Sequence, residues 1–386
     1  MAKLMMKTWR YIEEDGVSAA HGLAGDEFLM REYSADAPNP APTLRLYTYR
    51  SHCALVGRFQ NIAAELDLEA CRREDVQIGR RPTGGGAIIM GRDQLGLCLT
   101  CSSVFEPGLE KAVNVYHRFA EPLILALKEL GIVASFRGRN DLEVGGRKIA
   151  GLGVFYDARG AILFHTSLLV DLDISLMLRV LRIPAQKISD KVMIRSVKQR
   201  ITTVSRELGR AVDVAEVRRR VRKSFENYFQ TELVPQPLSE NEEKQIEILA
   251  RKKYLTDEWL YQYSPQADMT GMSLLKTPAG LLRTYVALKG EIIKSVLITG
   301  DFFEQTGLFS EIEGKLKWSP FEKENIARVV AQVFDRNGAA PAPIGAGDVV
   351  KAVWRAGRRA SRENRFSYHG TCYYPQKKPE KISDAV

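Results

Sequence analysis

The sequence predicts an α+β protein. Its main domain has a mixed or antiparallel sheet with flanking helices, and a small α+β domain follows at the C-terminus. Three observations predict this. Short apolar strands occur in runs joined by tight turns such as Gly145-Gly146 and Ala158-Arg159-Gly160, unlike the regular strand–helix alternation of a dinucleotide fold. Amphipathic stretches at 17–33 and 109–130 stand between those runs. The chain has 386 residues, and at about 100–200 residues per domain that is enough for two.

Residues 17–33 set Ala24, Phe28 and Leu29 at helical spacing and predict the first helix. The Pro-rich 34–42 is a loop, Leu44–Tyr49 and Cys53–Val56 are short strands around a turn, 62–74 is helical and Val76–Gly79 extended. Beyond the glycines at 84–86, Ala87–Met90 and Leu95–Cys101 predict a hairpin. The helix at 109–130 ends on Gly131, a favourable C-cap. Strands follow at Ile132–Phe136, Leu142–Val144, Lys148–Phe155 and Ile162–Leu169, then a short helix at Ser175–Arg182 and a basic one at 209–230. Polar residues 236–245 begin a linker helix through Arg251; strands at 281–288 and 291–298 and a helix at 320–336 come after it. The boundary is placed near 245–255, dividing the chain into 1–250 and 251–386, the latter with a C-terminal tail.

With 45% hydrophobic and 27% charged residues the chain is neither disordered nor fibrous. No run approaches the ~18 apolar residues of a membrane helix. The first residues carry no signal-peptide pattern, so a cytoplasmic protein is expected. Five cysteines, an odd count without framework spacing, argue against a disulfide scaffold. Cys98 and Cys101 lie three apart on a strand and so face opposite ways, and no second pair completes a zinc site. The net charge of +9 includes basic clusters at Lys187–Lys223 and Lys351–Arg365. These are solvated helix faces or a surface for an acidic partner. They are poor in aromatics, so no nucleic-acid partner is expected.

Three segments can carry chemistry. In Arg80-Arg81-Pro82-Thr83-Gly84-Gly85-Gly86-Ala87, three glycines allow a ligand close to backbone N–H groups, and two arginines supply positive charge. It is neither a Walker loop nor GxGxxG opening a helix. In the segment from Gly138 through Asn140-Asp141 to Lys148 and Gly151, a Lys beginning an apolar strand faces an Asn-Asp pair across a predicted hairpin. That Lys either holds an anion or is a surface residue beside a turn. Phe164-His165-Thr166-Ser167 puts a His within an apolar strand, as a core residue or a pocket wall.

In this order along the chain, LAGDEFL (23–29), VGRFQNIAAE (56–65), RRPTGGGA (80–87), GRNDLEVGGRKIAG (138–151) and HTSLL (165–169) resemble the lipoate–protein ligases of the lipoyl/octanoyl-transferase and biotin-ligase superfamily. Arg195–Ile201 resembles the family's S-V-x-x-R-V segment, and Val286–Ile292 and Thr299–Phe303 resemble its accessory domain. The sequence departs from the pattern at Met90, where the family has His, and at Thr166, where it has Gly. The resemblance implies a catalytic domain over 1–250 and an accessory domain after it. It also implies ATP-dependent activation of lipoate to lipoyl-AMP with Mg²⁺, then transfer to a lysine of a lipoyl-domain acceptor. Lys148 would be catalytic. Arg81, Thr83, Gly84, Gly85, Gly86, Ala87, Ile88, Ile89, Asn140, Asp141, Gly151, His165 and Thr166 would line the lipoate and ATP site, with Asp141 also a metal ligand. A monomer is expected, without a membrane partner. The alternatives are an ATP-independent octanoyl or lipoyl transferase working through a Cys, for which 130–170 holds no Cys, and a non-catalytic lipoate or nucleotide sensor.

Overall fold

The computed structural model describes residues 7–34, 41–138, 140–182, 198–278, 280–302, 307–336 and 344–364. The basic residues of 187–197, the start of the S-V-x-x-R-V segment, Arg365 and the C-terminal tail lie outside the described residues. The chain divides into two compact units, Met1–Gln262 and Tyr263–Val386, a division later than the sequence reading set it. Among the described residues, no helix is long and apolar enough to cross a membrane.

The first unit is built on an eight-stranded mixed sheet. Its strands are β1 (Lys7–Val17), β2 (Thr43–Tyr49), β6 (Gln94–Ser102), β7 (Ser135–Arg137), β8 (Asp141–Val144), β9 (Arg147–Tyr156), β10 (Ala161–Leu169) and β11 (Thr231–Pro235), in the order β11-β1-β2-β6-β10-β9-β8-β7. The two ladders of β1, to β11 and β2, are parallel; β2–β6, β6–β10, β10–β9 and β9–β8 are antiparallel. All nine residues of β6 are buried, as a strand covered on both faces must be. One face packs against the helices Ala112–Glu129 and Val214–Phe229 through Leu97, Leu99, Ile162, Phe164, Phe119 and Phe225. Helix α1 (Ala19–Met30) covers the other face, capped by Ser18, whose hydroxyl accepts from His21 N.

A second sheet of three strands stands apart: β3 (Cys53–Val56) pairs in parallel with β4 (Gln77–Arg80) and antiparallel with β5 (Ile88–Met90). This corrects the expected hairpin. β5 pairs with β3, while β6 enters the large sheet, so Gly91-Arg92-Asp93 carries the chain from one sheet to the other. Strand character is legible in a local apolar pattern; the choice of partner is a tertiary matter. The glycine loop between β4 and β5 is thereby suspended from the small sheet.

The second unit has an antiparallel sheet of β12 (Gly271–Thr277), β13 (Gly280–Lys289), β14 (Ile292–Gly300) and β15 (Ser319–Pro320), in chain order. The helices Leu308–Leu316, Lys323–Arg336 and Ala346–Asn364 accompany it. The last of these, which the sequence reading treated only as a charge cluster, buries Val349, Ala352, Val353, Ala356 and Ala360, one stripe at helical spacing.

Candidate functional site

Two cross-strand rows on the α1 face of the large sheet form the floor of the site. The first runs Asp141–Gly151–Ser167–Gly96–Tyr47 and the second Gly153–His165–Cys98–Arg45. Residues two apart on a strand share a face, so the rows are neighbours about 7 Å apart. Gly151, Gly153 and Gly96 leave a trough where side chains would otherwise rise. A methyl group at Gly153 would lie 2.4 Å from His165 Nε2 and 3.1 Å from Thr83 Oγ1.

Lys148 reaches this floor through an irregularity. The β8–β9 register pairs Leu142 with Ala150 but Glu143 with Lys148, leaving Ile149 as the extra residue of a bulge. Ile149 and Ala150 are both fully buried on the core side. The Lys148 ammonium is thereby turned onto the trough, 3.0 Å from the point where a Cβ on Gly151 would stand and 2.7 Å from Asp141 Oδ1. Both side chains are about a third exposed. The Lys148 backbone is held by Arg200 O (2.8 Å) and by Thr202 N (2.8 Å). Asn140 is fixed to β9, its amide nitrogen donating to Leu152 O at 3.2 Å.

The glycine loop lies above the second row. Arg58 N donates to Thr83 O (2.8 Å), and a Cβ on Gly57 would fall 2.0 Å from Gly85 O, so the loop passes directly against residue 57. Gly85 has φ +96°, a conformation that side-chain-bearing residues rarely adopt. Arg81 is buried and its guanidinium donates to Leu55 O (2.6 Å), Gly84 O (3.3 Å) and Gly86 O (2.9 Å). Burial pulls its pKa down to about 10, and at neutral pH it stays charged. The sequence predicts that Arg81 offsets substrate charge; three of its N–H groups are bonded to backbone carbonyls, which braces the loop from inside. Arg80, wholly buried, ties the same strand to Gly57 O, Gln60 O and Leu260 O.

The far end of the trough is a buried network of charge. Thr83 Oγ1 lies 2.7 Å from His165 Nε2, and His165 Nδ1 lies 3.9 Å from Asp26 Oδ2. Asp26 accepts from Arg45 NH1 (2.8 Å) and Tyr47 OH (3.0 Å). Arg45 also donates to Glu14 Oε2 (2.5 Å) and Gly22 O (2.9 Å). Asp26 is 1% exposed and Arg45 0%, so neither charge is screened by water. Burial alone would raise the Glu14 carboxyl; the His21 hydrogen bond and the Arg45 charge outweigh it and bring the pKa down to about 2.

The structure brings Lys148, Asp141, Gly151, Thr83 and His165 to one trough, with Gly84, Gly85 and Gly86 in the loop above it. Ala87 and Ile89 pack with the small sheet's core and Ile88 with the α1 layer. Thr166 is on the other face of β10: it is buried between Phe164 and Leu168, which belong to the opposite core, and its hydroxyl has no partner. The trough residue of that segment is Ser167, which sequence reasoning passed over although alternation from His165 points to it. Asp26 and Arg45 were missed as well; the available signal was an acid inside the apolar LAGDEFL stretch. The cysteines were placed away from the pocket, yet Cys98 stands directly across from His165, because β6 and β10 are neighbours in space and far apart in sequence. Cys53, Cys71, Cys98 and Cys101 are all buried free thiols, and burial, reinforced by Asp26, pushes the Cys98 pKa far up.

Residues 18–226 match the family signature of the lipoyl protein ligase A/B catalytic domain, and 273–340 that of the bacterial lipoate protein ligase C-terminus. The chain is 30% identical over 278 residues to octanoyltransferase LipM of Symbiobacterium thermophilum, covering 66% of this chain and 98% of that one. It is 27% identical over 305 residues to lipoate-protein ligase LplJ of Bacillus subtilis, covering 79% and 89%. Among solved structures it is similar to a bi-partite lipoate protein ligase, described with its E2 lipoyl domain, from Thermoplasma acidophilum: TM-score 0.58, 26% identity, 68% of this chain and 98% of that one.

Proposed function

Since the chain belongs to the lipoyl protein ligase A/B family, we propose that it is an ATP-dependent lipoate–protein ligase acting on a lysine of a lipoyl-domain acceptor. The observation that carries the ligase reading is the second unit. The LipM relative is used up within 66% of this chain, whereas the LplJ ligase extends over 79% of it and residues 273–340 match a ligase C-terminus.

In the first step a lipoate carboxylate oxygen bonds to the α-phosphorus of ATP and pyrophosphate leaves. Two anions must meet, and Lys148 is the compact cation at the trough. Its ion pair is with Asp141, and both side chains are about a third exposed, so it can exchange that carboxylate for a phosphate oxygen. The N–H groups of Gly84–Gly86 supply fixed dipoles for the charge that develops. In the second step the acceptor lysine's nitrogen attacks the acyl carbonyl, AMP leaves with the bonding pair, and the amine gives up its proton. Asp141 would give Mg²⁺ a single protein carboxylate, its Oδ1 being paired with the Lys148 ammonium at 2.7 Å, since Mg²⁺ usually takes one or two carboxylates together with substrate phosphates and water. When bound, it neutralises phosphate charge.

The second reading is an ATP-independent acyl transferase. It is favoured by the LipM relative and by the position of Cys98 across from His165. Mass spectrometry of a recombinant lipoyl domain incubated with the protein and Mg²⁺, given either lipoate or an octanoyl thioester and each with and without ATP, separates the two. One lipoyl group added only with ATP is expected; addition from an acyl thioester without ATP, and none from lipoate with it, overturns the ligase.

A further inference from the structure

A second concavity of about 410 Å³ lies beside the glycine loop, lined by Arg58, Pro82, Phe155, Arg159, Lys253 and Trp259. None of the trough residues lines it. It adjoins the trough through Thr83, whose carbonyl accepts from Arg58 N while its hydroxyl faces His165. Four cations and two acids surround it, the remaining ones being Arg31, Glu27 and Asp157. The acids are already engaged: Glu27 accepts from Arg31 (2.5 Å) and Lys253 (2.6 Å), and Asp157 from Arg159 Nε (2.9 Å). Four positive charges less two negative leave a formal +2 around one cavity.

Arg58 is the uncompensated group. Its guanidinium stands 5.4 Å from the Phe155 ring centre and 5.7 Å from that of Phe59. No acceptor is bonded to it among the described residues, and its Nε is buried without a partner. A buried donor left unmade costs roughly 1–3 kcal/mol, a cost that a bound anion removes. Lys253 lies 4.1 Å over Trp259, and burial pulls its ammonium below the usual range in spite of Glu27 beside it. An anion would favour its charged form. The apolar wall of Phe155, Trp259, Pro82 and Met30 leaves room for an organic body behind the anion.

We propose that this cavity is a second ligand site, separate from the Lys148 trough, that takes a small organic phosphate with its dianion on Arg58, Lys253 and Arg159. A phosphomonoester matches the +2 of the cavity and offers enough oxygens for a guanidinium fork and an ammonium together; a monocarboxylate matches half of it. The inference does not rest on the ligase reading.

Calorimetric titration of the full chain with phenyl phosphate tests it, with inorganic phosphate, benzoate and phenol as comparison probes. Phenyl phosphate is expected to bind best, inorganic phosphate more weakly, and phenol not at all. Arg58→Met should abolish binding. Arg159→Ala, on an exposed turn where folding is not at risk, should weaken it about tenfold, the loss of one charge-assisted contact. Lys148→Ala should leave it unchanged. Binding that Lys148→Ala removes and Arg159→Ala does not would put the phosphate in the trough and overturn the proposal. Benzoate binding as tightly as phenyl phosphate would overturn the phosphate assignment.

Discussion

The two ends of the trough are built on opposite principles. At the Lys148 end one ion pair is a third exposed, made by a side chain that a bulge has redirected. At the His165 end Asp26 and Arg45 are shut away from water, each held by several partners. An exposed pair contributes little to stability and re-forms with other ions at little cost. A buried one is rigid, and removing a partner leaves an uncompensated charge. Under the proposed function, exchange of ligands falls to the first end and shape to the second.

The largest effect expected from that division is kinetic. Lys148→Ala should lower lipoate-dependent pyrophosphate release by about 10²–10³-fold, the scale of losing one charge-stabilising group, with a nearly unchanged circular-dichroism melt. Lys148→Arg should not restore the rate, because a planar fork is no substitute for a compact ammonium. A variant that melts far lower than wild type would show that the exposed pair is structural and break the contrast.

The opposite profile is expected at the other end. Asp26→Ala leaves Arg45 buried with one charged partner fewer, and should cost roughly 3–5 kcal/mol of unfolding free energy. Urea titration reads this directly. A loss below about 1 kcal/mol would mean that water enters the network.

Acid sharpens the same comparison. The Glu14 pKa of about 2 lies below the unfolded value, so its contribution to stability is complete above the unfolded pKa and is lost as pH falls through the folded one. Between about pH 4.5 and 2, stability should drop by up to about 3 kcal/mol on account of this group. In Glu14→Gln that part of the acid slope should be absent. An identical slope in wild type and variant would remove Glu14 from the network.

How much of this was legible follows from the range of each interaction. The α+β class, the glycine loop and the Asn140-Asp141…Lys148 pairing are local patterns, and the chain places them as the hairpin between β8 and β9 requires. The partner of β5, the strand at Lys7–Val17 and the face of Thr166 depend on which strands meet. Arg81 is instructive: sequence shows a charge beside glycines, but only packing shows that three of its donors are bonded to Leu55, Gly84 and Gly86. Asp26 and Arg45 are nineteen positions apart and meet only because α1 lies across β2.

The smallest effect is expected at Cys98, and it decides between the two chemistries. The thiol belongs to the second row, directly across from His165 and Arg45. A nucleophile acts as thiolate, and a thiolate requires a lowered pKa and access. Cys98 has neither: it is 0% exposed, and burial together with the Asp26 carboxylate holds the proton on sulfur. It is better described as a small apolar filler in the floor. Cys98→Ala should therefore keep ATP-dependent lipoylation within about twofold while costing about 1 kcal/mol of stability. If the folded variant is inactive and an acyl adduct is found on Cys98 of the wild type, the buried end carries the chemistry after all. The contrast between the two ends is then reversed, and Lys148 becomes a residue that binds the acyl donor.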